Sequence, residues 1–134
     1  MILQQVSIFL ENRAGQLAEL TSLLSSHDLN LRAINLAETS DYGIARLIVS
    51  DSAAAAKILA ENDLLATATS VVMAAVPDRP GGLNDLLQLL SRESVNVSYM
   101  YSIFGQTDGK ANMIFSVKEP EAVDALLKEN GFGV

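Results

Sequence analysis

The sequence predicts an α+β protein made by tandem duplication of one strand–helix–strand–strand–helix–strand unit. Three observations predict it. The turn Asn12-Arg13-Ala14-Gly15-Gln16-Leu17 recurs 66 residues later as Asp78-Arg79-Pro80-Gly81-Gly82-Leu83. The same offset relates Val6 to Val72, Leu20 to Leu86, Leu23-Leu24-Ser25 to Leu89-Leu90-Ser91, and Asn30 to Asn96. It continues through Gly43 and Gly109, Ala45 and Ala111, Ile48 and Ile114, and Ser50 and Ser116. In both halves the apolar pattern changes between a period of two and a period of 3.6 in the same order.

In the first half, residues 2–10 read as a strand, with Val6, Ile8 and Leu10 alternating against Gln5, Ser7 and Phe9. Residues 12–15 turn into a helix over 15–26, whose stripe is Leu17, Leu20 and Leu24, widened by Leu23. Residues 30–38 read as the second strand, 40–43 as a turn and 44–49 as the third strand. Asp51 or Ser52 offers an N-cap oxygen for a helix to Ala60 with Ala55, Ile58 and Leu59 inward.

The second half repeats this with strands over 70–76, 95–104 and 111–117, a turn over 105–109 and a helix over 81–92. Its last helix starts near Pro120, which suits a first helical position, and stops at Asn130-Gly131. There Val123, Leu126, Leu127 and Asn130 answer to Ala55, Ile58, Leu59 and Asn62 at an offset of 68. Two extra residues are therefore expected between the third strand and the last helix.

Residues 64–76 contain no Gly, Pro, Asn or Asp, so no tight hairpin fits there and one long strand serving both halves is expected. At the C-terminal end only Phe132, Gly133 and Val134 remain, so the fourth strand of the second half is expected to be short or missing. The units are placed at residues 1–69 and 70–134. The open edge left by that strand, and the small size of each unit, point to a homodimer.

A βαββαβ order with antiparallel strands and both helices on one face is a ferredoxin-like sandwich. The two turns, the leucine-rich helices after them, and then Leu29-Asn30-Leu31 and Val95-Asn96-Val97, closely resemble the ACT domain. The tandem arrangement is similar to small stand-alone proteins made of two ACT domains. The resemblance covers both units apart from the last strand. It implies a regulatory module that binds amino acids or other small ligands between two domains. It also implies that Asn12 and Asn30, and in the second unit Asp78 and Asn96, hold a ligand's polar groups. Some amino-acid-binding members have a His two residues before the first Asn. Leu10 and Val76 stand there in this chain, so serine-like specificity is not implied.

The residues themselves support ligand capture. Gly15 and Gly81 carry no β-carbon where the backbone enters a helix, so a ligand can approach closely. The helix-start amides near Gly15, Gln16 and Leu17, and near Gly81, Gly82 and Leu83, suit a carboxylate. Asn12 and Asn30, with Leu31 beside the latter, are expected at the same end of their unit. Asp78, Asn96 and Val97 are the matching residues of the second. Each has a plainer reading. Asn12 and Asp78 also suit helix capping, and Asn30 and Asn96 suit turns. Arg13 and Arg79 are expected to pair with nearby acids.

No catalytic constellation is present. One His and no Cys exclude the usual zinc sets and Cys–His or Ser–His nucleophiles. No Gly-rich loop ends in Gly-Lys-Ser/Thr, and acids are not clustered as metal ligands. A formal charge of −7 argues against a nucleic-acid partner, which needs a basic face. No apolar run approaches the roughly 18 residues of a membrane span, and no signal peptide is read. The expectation is a cytoplasmic, non-catalytic protein without cofactor or metal that binds a small molecule, an amino acid. Its rival is an interaction module that regulates a partner without any metabolite.

Overall fold

The structure is a computed structural model. It describes every residue except Thr39 and Ser40, and every described side chain except those of Gln106 and Thr107. Ser40, assigned to the turn over 40–43, thus lies outside the described residues. The order is β1 (Ile2–Glu11), α1 (Gln16–Ser26), β2 (Leu31–Glu38), β3 (Tyr42–Val49), α2 (Ser52–Glu61), β4 (Ala66–Pro77), α3 (Gly82–Arg92), β5 (Tyr99–Thr107), β6 (Lys110–Ser116) and α4 (Pro120–Glu129). No helix among the described residues is long and apolar enough to cross a membrane.

The chain forms two compact units, Gln4–Thr69 and Met1–Leu3 with Ser70–Val134. Both are antiparallel sheets carrying two helices, the ferredoxin-like α+β arrangement. In the first unit β3 lies between β1 and β2 and pairs antiparallel with both. Val6, Ile8 and Leu10 of β1 meet Leu20 and Leu24 of α1, Ala45, Leu47 and Val49 of β3, and Ala55 and Leu59 of α2 in one core. The Asp51 carboxylate accepts from the Ala54 N–H at 3.0 Å, which caps α2. In the second unit β6 pairs antiparallel with β4 and β5. Val72, Ala74 and Val76 pack there with Leu86, Leu89 and Leu90 of α3, Phe115, and Val123 and Leu127 of α4.

The long uninterrupted strand is present: β4 runs for 12 residues, and the division between units falls inside it. The missing fourth strand of the second unit has an unexpected source. Residues 132–134 form no strand. Instead Met1–Leu3 belong to this unit, with the Met73 N–H donating to the Met1 carbonyl at 2.8 Å. Further along β4, the Ala75 N–H donates to the Phe132 carbonyl at 2.9 Å. The open edge, which another segment or another chain could have covered, is occupied by residues 1–3 of this chain. The Met1 ammonium also reaches Asp124 of α4, whose other carboxylate oxygen accepts from Lys128 Nζ at 2.8 Å.

The position of the two extra residues needs correcting. Val6 lies opposite Leu47, and Val72 lies opposite Phe115. Strand one keeps the offset of 66 while strand three already has 68. The insertion precedes β6: the β5 register shifts between Ser102 and Gln106, where Ile103, Phe104 and Gly105 occupy the place held by Ala37 alone in β2. It is a bulge in an edge strand.

Candidate functional site

Each unit presents a turn between its first strand and its first helix. In the first unit the Asn12 N–H donates to the Asp41 carbonyl at 3.1 Å and the Arg13 N–H to Glu11 at 3.0 Å. Gly15 is the N-cap of α1, in the left-handed region at φ 85°. The second unit has Gly81 there at φ 86°. Neither Asn12 nor Asp78 occupies the N-cap position. Gly82 answers a different constraint, because a β-carbon on it would stand 1.9 Å from the Pro77 carbonyl oxygen. The helix start is pressed against the end of β4, and only a glycine fits.

The turn arginines pair with acids of the first helical turn, as expected. Arg13 Nη2 donates to Glu19 at 3.1 Å and its Nε to Glu11 at 3.2 Å. Arg79 Nη2 donates to Asp85 at 2.9 Å, the same arrangement 66 residues on. Hydrogen bonding to Glu19, with Glu11 adding to it, raises the Arg13 pKa above its ordinary value.

A cleft of about 410 Å³ opens beside the first turn. Asn12, Arg13, Gly15, Gln16 and Leu17 line it, facing Leu36 and Glu38 of β2 and Gly43 of β3. Asn12 Nδ2 donates to Glu38 Oε2 at 3.4 Å. The Gln16 N–H is directed to the Arg13 carbonyl at 3.4 Å. The next amides of the helix, from Leu17 and Ala18, have no intrahelical acceptor and stand at the cleft. The cleft thus offers amide donors and a guanidinium beside two carboxylates, Glu11 and Glu38. That set can take both ends of a zwitterion.

Glu38 has no sequence signal. It is found only once β1, β3 and β2 are laid side by side and their ends meet.

Asn30 is not in this cleft. It lines another of about 380 Å³, with Thr21, Ser25, Asp28 and Leu31, below the C-terminal end of α1. Its backbone is tied to Ser50: the Asn30 N–H donates to Ser50 Oγ at 3.0 Å, and the Ser50 N–H to the Asn30 carbonyl at 2.9 Å. The expectation that Asn12 and Asn30 share one end of the unit is therefore wrong. Strands β1 and β2 are both antiparallel to β3, hence parallel to each other, and α1 carries the chain back the whole length between them. Eleven helical residues span about 16 Å.

Asn96 repeats the Asn30 position and lines a larger cleft of about 600 Å³ between the end of α3 and α4, with Ser94, Val95, Lys118 and Glu119. The side chains of Leu17 and Leu31 pack against the first core and those of Leu83 and Val97 against the second. Among the described residues no group of His, Cys, Asp or Glu is placed to hold a metal ion.

The family described as an ACT domain pair matches residues 1–132. A crystallised protein from Bacteroides thetaiotaomicron superposes with a TM-score of 0.91 at 38% identity, covering 99% of this chain and 91% of that one. The ligand-free regulatory subunit of aspartate kinase from Thermus thermophilus gives 0.68 at 12% identity, covering 96% and 90%. Its counterpart from Thermus flavus gives 0.59 at 17%, covering 96% and 92%. At those two identities the likeness is one of fold. No curated protein matches the chain.

Proposed function

The chain belongs to the ACT domain pair family, and from that premise we propose a non-catalytic, cytoplasmic regulatory protein that binds an amino acid and works as a homodimer. The observation that carries the reading is the cleft at the first turn, where helix-start amides and Arg13 stand beside Asn12 and Glu38. A ligand carboxylate suits the amides of Leu17 and Ala18, and a ligand ammonium suits Glu38 and the Asn12 side-chain oxygen. The regulatory subunits of aspartate kinase among the fold's relatives support a sensing role.

Asn12 and Asn30 lie at opposite ends of one unit, so a ligand held by both must sit between two copies. The homodimer therefore belongs to the proposal through the site. The second turn, with Asp78, Gly81, Gly82 and Leu83, and the segment before β5 at Asn96 and Val97 are the matching positions of the second unit.

A thermal-shift screen against the common amino acids tests the reading. An amino acid at 100 times its dissociation constant adds about 2.7 kcal/mol of stability. If none of them raises the unfolding temperature at millimolar concentration, the interaction-module alternative takes its place.

A further inference from the structure

We infer that the first-turn cleft selects an amino acid with an aliphatic side chain, because Gly43 leaves a gap in the sheet that Leu10, Leu17 and Leu36 line. The inference rests on the reading above that an amino acid binds at this turn, and adds which class it takes.

The cleft begins with a missing side chain. Residues directly opposite one another on neighbouring strands share a face of the sheet. Leu10, Gly43 and Glu38 form one such row across β1, β3 and β2, and Ile8, Ala45 and Leu36 form the next. Ile8, Leu10 and Ala45 belong to the core beneath the helices, so both rows are on the face that carries α1 and α2. Gly43 puts nothing between Leu10 and Glu38. Leu36 leans over that place: its Cδ1 stands 3.2 Å from where a β-carbon on Gly43 would be. It is 48% exposed, although Ile8 and Ala45 of its own row are fully buried. An apolar side chain thus stands open at the wall of the cleft, where a ligand gains by covering it.

The second unit differs at this place. Val76 repeats Leu10, and the residue opposite Val76 is Ala111, which packs against the second core. A β-carbon therefore stands where the first unit has none, and the gap belongs to the first unit.

The walls decide the class of side chain. A volume of about 410 Å³ is within the range of small-molecule sites. With Glu38 given to the ligand ammonium, Glu11 is engaged by Arg13, and Arg13 by Glu11 and Glu19. Among the described residues lining the cleft, no unengaged charge then remains for a lysine or aspartate side chain. A ligand hydroxyl set among three leucines would lose its water and gain no partner. No aromatic ring lines the cleft for a ligand ring to stack on. An aliphatic chain has only apolar surface to lose to Leu10, Leu17 and Leu36, and gains from doing so.

In thermal-shift measurements on the whole chain, leucine, isoleucine, valine or methionine should give a larger shift than serine, aspartate, lysine or phenylalanine at equal millimolar concentration. Gly43→Ala gives the first unit the β-carbon that the second has. That carbon crowds only the movable end of the exposed Leu36, so the urea midpoint should hold. Calorimetric affinity for the best aliphatic amino acid should meanwhile fall about tenfold or more. Leu36→Asn, at a half-exposed position, should weaken it similarly and narrow its lead over serine, and it decides alone if Gly43→Ala fails to fold. A polar, charged or aromatic amino acid giving the largest shift overturns the aliphatic class and leaves the amino-acid reading standing. Unchanged affinity in the folded variants overturns it too, since the ligand then lies elsewhere. No shift from any of the eight overturns this inference and the reading beneath it together.

Discussion

Gly82→Ala tests how the second helix start is built. The added β-carbon would lie 1.9 Å from the Pro77 oxygen and 3.0 Å from the Pro77 carbonyl carbon. An ordinary carbon–oxygen contact is about 3.3 Å, so strand end and helix start must separate by more than an ångström. Both obstacles are backbone, and no side chain can rotate away. Overpacking of this kind costs about 1–3 kcal/mol or more, while alanine's helical advantage returns at most about 1 kcal/mol. The clash wins, and a net loss of about 2 kcal/mol is expected. Gly81→Ala and Gly15→Ala meet a different penalty: both are left-handed, with no backbone atom crowding the new carbon, so each should lose about 1–2 kcal/mol and the two should agree. Urea unfolding reads the series, since about 2 kcal/mol moves the midpoint by roughly 1 M. A Gly82→Ala midpoint at or above that of the parent would refute the close approach.

Leu20→Ala and Leu86→Ala remove repeat-related side chains that are 1% and 0% exposed, and each should cost about 2–5 kcal/mol. An unmoved urea midpoint in either would show the helix face to be misassigned. Asp124 has its pKa lowered by its hydrogen bond to Lys128, and next by the Met1 ammonium. A depressed carboxylate stabilises the fold above its unfolded pKa of about 3.9 and loses that contribution as pH falls through the folded value. Asp124→Asn should therefore be less stable than the parent at neutral pH, with the gap closing below about pH 4. A gap independent of pH would contradict this.

The repeat, the element types and the long shared strand were legible because they rest on local periodicity and turn chemistry. The inserted residues were misplaced for a physical reason. Side chains alternate with a period of two, so a shift of two residues leaves every one of them on the same face. Ala45 answers equally well to Ala111 or Met113, both of which pack on the second core. Only strand pairing separates the offsets. The source of the second unit's fourth strand carried no signal either, since Met1–Leu3 and Met73 are joined by long-range pairing alone. Asn12 and Asn30 stand out individually as polar residues beside turns, but their separation follows from α1 carrying the chain back between two parallel strands. Glu38 was missed because its place beside Asn12 is made by three strands together.

The bulge in β5 has a consequence for binding. If two copies share the site, the Asn30 of one copy completes the cleft at the Asn12 turn of the other, and the first-turn sites are the strong ones. The equivalent strand of the second unit carries two extra residues between Ser102 and Gln106, so Asn96 and Asp78 are not related as Asn30 and Asn12 are. The two kinds of site should then differ, although the sequence repeats them. With the amino acid that gives the largest thermal shift, Asn30→Ala should lose about 1.5–3 kcal/mol in calorimetry, a hydrogen bond to a charged group. Asn96→Ala should lose much less. Asp78→Asn separates the remaining possibilities: a carboxylate holding a ligand ammonium would give a loss of similar size, whereas a residue serving only its own turn would leave affinity unchanged. Equal losses for Asn30→Ala and Asn96→Ala would show that both units are completed alike despite the bulge in β5.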